Sequence, residues 1–139
     1  MKVFITWSGD KSKALAETMR DWLPSVIQAV KPYFSLDDVI KGSRWFSEIA
    51  KELDESSVGL ICLTRDNLEA PWLLFEAGAL SKNLGKSKVC PILFGIEPTD
   101  IKGPLSHFQV AKFERNDMEK VLEMVNGELG DNRLKENIL

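Results

Sequence analysis

Two hydrophobic periods alternate along this chain. Residues 2–7, KVFITW, form a short run rich in β-branched and aromatic side chains that ends on the turn formers Ser8, Gly9 and Asp10, which predicts a first strand. From Ser12 the period lengthens. Leu15, Met19, Trp22, Val26 and Val30 recur at three- and four-residue steps, the apolar stripe of an amphipathic helix covering most of 12–29. Pro24 lies inside that stripe, where a proline loses a hydrogen bond and crowds the preceding turn, so a kink or restart is expected there. Residues 32–35, PYFS, predict a short second strand with its proline at the first position or on a sheet edge.

A polar loop follows at 36–43, LDDVIKGS, and Ser43 can cap a helix in which Phe46, Ile49, Ala50 and Leu53 share one face. Residues 58–63, VGLICL, are apolar on both faces, as a central parallel strand is. A turn-rich stretch then leads into PWLLFEAGAL at 71–80, a helix start with Pro71 in its first turn and Glu76 as its single charge. Residues 88–94, KVCPILF, predict a fourth strand, with Pro91 arguing for a bulge or an incomplete ladder. A Pro/Gly loop, a fifth strand at 109–113, and a last helix over 117–129 with Met118, Val121, Leu122 and Val125 on one side complete the pattern. Residues 130–139 read as a polar tail, or a linker to a further domain. Strands alternating with helices imply parallel pairs joined by right-handed crossovers, hence a three-layer α/β sandwich. Such folds bind ligands beyond the carboxyl ends of the strands, where strand order reverses. The expected site is therefore built from the 7–10 turn, the 36–43 loop with its helix start, and the 64–76 connection.

Composition narrows the chemistry. The 139 residues suit one domain and carry a net charge of −3 with both signs interspersed, so no basic stripe marks a nucleic-acid surface. No apolar window approaches the roughly twenty residues that span a bilayer, and the run after Met1 is too short for a signal peptide, so a cytoplasmic protein is expected. Cys62 and Cys90 sit inside apolar runs and read as small core residues. With one histidine, His107, in a loop, and no CxxC, no metal site is expected. The glycine patterns of dinucleotide-binding and P-loop turns are missing, as is a G-x-S-x-G elbow. What stands out is Glu76. A carboxylate flanked by Trp72, Leu73, Leu74 and Phe75 either faces solvent near a helix start or is held in a cleft for chemistry.

The opening VFITWSGD, the segment LDDVIKGSRW before an amphipathic helix, the strand VGLICLT, and above all Trp72-Leu-Leu-Phe-Glu76 followed by small residues resemble the TIR (Toll/interleukin-1 receptor) domain family, in its bacterial branch, over residues 1–129. The resemblance implies a flavodoxin-like fold with a five-stranded parallel sheet in the order 2-1-3-4-5. It also implies an activity: many bacterial and plant members cleave NAD+ at the nicotinamide–ribose bond with the glutamate of the WxxxE stretch, here Glu76. One well-placed carboxylate suits this reaction, because the transition state carries oxocarbenium-like charge and nicotinamide leaves neutral without a general acid. NAD+ would be the substrate rather than a cofactor, and the products nicotinamide with ADP-ribose or a cyclic isomer. The 36–43 loop corresponds to the family's mobile BB loop. The resemblance nominates Asp37, Lys41, Gly42, Arg44 and Trp45 there as substrate-binding candidates, with Arg44 or Lys41 pairing the pyrophosphate. Trp72 could shape the pocket, and Ser8 and Gly9 match the turn whose backbone faces the substrate. Expected partners are NAD+, other TIR domains through homotypic assembly, and a sensor domain or protein, in a bacterial immune or anti-phage role. Two rivals stand beside the enzyme: a silent TIR scaffold acting by self-association, and a nucleoside deoxyribosyltransferase, which also relies on a glutamate.

Overall fold

A computed structural model of the chain describes residues 1–7, 9–34, 55–68, 88–101, 105–106 and 108–128. Its strands are β1 (Lys2–Thr6), β2 (Lys31–Phe34), β3 (Val58–Leu63), β4 (Val89–Leu93) and β5 (Ala111–Lys112). They form one sheet in the order β2-β1-β3-β4-β5, with every adjacent pair parallel. This is the flavodoxin-like order, and strand order reverses at β1, between β2 and β3.

Alternation along the central strands sends side chains to two separate cores. Val3 and Ile5 of β1, Val58, Leu60 and Cys62 of β3, and Cys90 and Ile92 of β4 pack under helix α1 (Asp10–Val26) and helix α2 (Arg115–Gly127). Phe4, Ile61, Leu63, Val89 and Leu93 join Ile96, Ile101, Leu105 and Phe108 on the opposite face. All six residues of β3 are buried, as a strand covered on both faces requires. The helices expected from 43 and from 71 lie outside the described residues, as does the tail from 130.

Both prolines in strands are accommodated, by different means. Pro32 lies on the edge strand β2, opposite Val3. Pro91 does not cause a bulge: register runs unbroken from Gly59↔Val89 to Leu63↔Leu93. Its effect falls on the other side, where pairing with β5 begins only at Ile92. Helix α1 contains Pro24 and stops two residues later at Val26 rather than reaching 29. Ile27 then turns to extended backbone, while its side chain and that of Val30 remain buried. The apolar stripe therefore continues past the helix itself.

Candidate functional site

The carboxyl edge of β1 and β3 is where the fold directs a ligand, and the described residues there form a polar cluster. Among the described residues six polar side chains are buried: Thr6, Ser12, Ser56, Thr64, Asn67 and Asn126. Four of these, Thr6, Ser12, Thr64 and Asn67, gather where β1 and β3 end and α1 begins. Buried polar groups cost stability unless bonded, so such a concentration at one edge needs a structural reason.

Hydrogen bonds supply much of it. Ser12 Oγ, in the first turn of α1, donates to the carbonyl of Cys62 at 2.7 Å. Asn67 Nδ2 donates to the same carbonyl at 3.2 Å, while its Oδ1 accepts the N–H of Thr64 at 2.8 Å. The N–H of Asn67 turns to the Thr64 carbonyl at 3.2 Å, closing a tight turn over Arg65–Asn67. Thr64 Oγ1 faces the Asn67 backbone N–H in a capping-box arrangement but, among the described residues, is buried without a hydrogen bond of good geometry. Outside this knot, Lys11 reaches Asp66 at 3.8 Å, and the Lys13 ammonium lies 5.4 Å from the ring centroid of Trp7.

Of the residues nominated from sequence, Gly9 is described. It follows β1, caps α1 at φ 90° and ψ 162°, and an ideal Cβ built on it would meet nothing within 4 Å. Backbone strain therefore favours glycine there, and no described atom crowds the position a Cβ would take. Ser8, Asp37, Lys41, Gly42, Arg44, Trp45, Trp72 and Glu76 lie outside the described residues, as does His107. Ser12, Thr64 and Asn67 were not nominated. The spacing Thr64-x-x-Asn67 at the end of an apolar strand was a readable sign of a capped turn. The meeting of Ser12 with the Cys62 carbonyl was not, because fifty residues separate the two.

Both cysteines are buried. Burial pushes the Cys62 thiol far above its ordinary value and the Cys90 thiol up to about 12, the latter helped by the nearby Asp117 carboxylate. Neither is poised as a nucleophile. No described helix is long and apolar enough to cross a membrane.

The family model for the TIR domain matches residues 3–125, nearly the whole described sheet and both helices. The chain belongs to the TIR domain family. No curated protein matches it at a significant level. Among solved structures, an azoreductase from Bacillus anthracis str. Sterne is similar in shape at a TM-score of 0.44, with 10% sequence identity over 94% of this chain and 95% of that one. A likeness at that level says nothing of activity. Within the TIR family, NAD+-cleaving members occur and domains associate homotypically.

Proposed function

We propose that this TIR domain is an NAD+ nucleosidase that breaks the nicotinamide–ribose bond, with Glu76 as its working carboxylate. The observation that carries this reading is the family match over 3–125, which spans Trp72-Leu-Leu-Phe-Glu76 in its expected place after the central strand. The sheet topology and the glycine turn after β1 support it, since both belong at the carboxyl edge where this fold class takes nucleotides. In this account the nicotinamide leaves as a neutral base, and the Glu76 carboxylate stabilises or captures the cationic ribose. Water then gives ADP-ribose, or a nucleophile within the substrate gives a cyclic isomer. Ser8, Asp37, Lys41, Gly42, Arg44, Trp45 and Trp72 complete the substrate site in this proposal. Immune signalling in a bacterium, with assembly through other TIR domains, is the proposed setting.

A second reading, a silent scaffold, draws on a different observation. Phe94 and Phe113, at the ends of β4 and β5, pair edge to face at 6.0 Å, and both are exposed. Incubating the concentrated protein with NAD+ and following nicotinamide by chromatography separates the two. Release, with a new nucleotide peak, supports the enzyme. Concentration-dependent association without release supports the scaffold.

A further inference from the structure

We infer that the buried cluster of Ser12, Asn67 and the Cys62 carbonyl is a positioning device, one that fixes where the chain leaves β3 for the stretch that carries Glu76. The inference rests on the nucleosidase reading for its link to turnover, but its geometry stands by itself.

Parallel strands end with free carbonyls and amides, and the chain beyond them can leave in several directions. Here the last carbonyl but one of β3, that of Cys62, is held from two sides. Ser12 Oγ brings the N-terminus of α1 to it at 2.7 Å, and Asn67 Nδ2 brings the following turn at 3.2 Å. The Asn67 side chain also takes the Thr64 N–H at 2.8 Å, so one amide group spans the exit of the strand. Ser12 is 0% exposed, Thr64 2% and Asn67 3%, which removes water as a competitor for these bonds. Nine residues beyond Asn67 stands Glu76. The same network joins that exit to the β1–α1 turn holding Gly9, so two of the three segments nominated for the site share one anchor. A carboxylate that must meet a developing charge loses much of its effect when displaced by about 1 Å.

Asn67 and Ser12 are thus positioning residues, and their loss has a local signature. In Asn67→Ala, amide hydrogen exchange measured by mass spectrometry accelerates about tenfold or more in peptides covering 60–76, while peptides from β4 and α2 keep their wild-type rates. With NAD+, kcat falls about tenfold or more and KM stays within about twofold. Val121→Ala on α2, which thins the core away from this edge, lowers the melting temperature but leaves kcat intact. If Asn67→Ala does not fold, Ser12→Ala, which removes the hydroxyl that holds the Cys62 carbonyl from the α1 side, gives the same local pattern. Exchange over 60–76 that is unchanged, or that rises evenly across the sheet, overturns the inference. Should the wild-type protein release no nicotinamide, the nucleosidase reading falls, and the exchange data still decide the role of the cluster.

Discussion

At Gly9 a single pair of dihedral angles sets the requirement for a residue. With φ 90° and ψ 162° the backbone lies in a region open almost to glycine alone, so a side chain there is strained even where no described atom crowds it. Gly9→Ala is therefore expected to lower stability by about 1–3 kcal/mol, read as a shifted denaturant midpoint with an unchanged slope. An unshifted midpoint would mean the turn relaxes without cost. Thr64 is the converse case, since among the described residues its buried hydroxyl makes no hydrogen bond while its backbone is extended at φ −129°. Thr64→Val keeps the shape and the N–H that Asn67 accepts, so it should stabilise the fold by about 1 kcal/mol in the same titration. A loss of stability would show that the hydroxyl is satisfied in solution. The turn at Gly9 was legible in the sequence from its local composition. The Ser12–Cys62 bond was not, because nothing local marks which helix residue meets which carbonyl.

Among the elements, β3 was read to the residue, since a strand covered on both faces announces itself as an unbroken apolar run between polar ends. The edge strand β5 was read as five residues and pairs over two. Pro91 lacks the donor that would carry the ladder back before Ile92, and on the outer edge Asp117 Oδ2, in the first turn of α2, takes the Lys112 N–H at 2.8 Å, while the Lys112 ammonium is shared by Glu97 and Glu114. Those two hydrogen bonds, with Glu97 first, raise the Lys112 pKa. Strand β4 carries a pH signature of its own. Burial, then the Asp117 carboxylate, lift the Cys90 thiol from about 9 to about 12, so the folded protein keeps a proton that the unfolded chain releases. Stability contributed by the protonated thiol is fully present below pH 9 and is lost progressively as pH rises toward about 12. Cys90→Ala should flatten that alkaline decline in pH-dependent melting curves. Equal slopes for the two proteins would show that the thiol is solvated.

For the whole molecule, the change of hydrophobic period from two to 3.6 and back was enough to imply a parallel sheet with crossover helices. The strand order follows from the family likeness, and the observed β2-β1-β3-β4-β5 agrees with it. That order brings the ends of β1 and β3 side by side and gathers buried Thr6, Ser12, Thr64 and Asn67 at the edge where the chain departs toward Glu76. The proposed chemistry rests mainly on the Trp72-to-Glu76 spacing in its family context, and the nominated residues other than Gly9, Glu76 among them, fall outside the described segments. The most direct test compares the wild-type protein with Glu76→Gln, at a concentration that favours assembly, by timing nicotinamide release from NAD+. The account predicts release by the wild type and a loss of about a thousandfold or more in the variant, with melting temperature and self-association unchanged. Release at the wild-type rate by Glu76→Gln would contradict it.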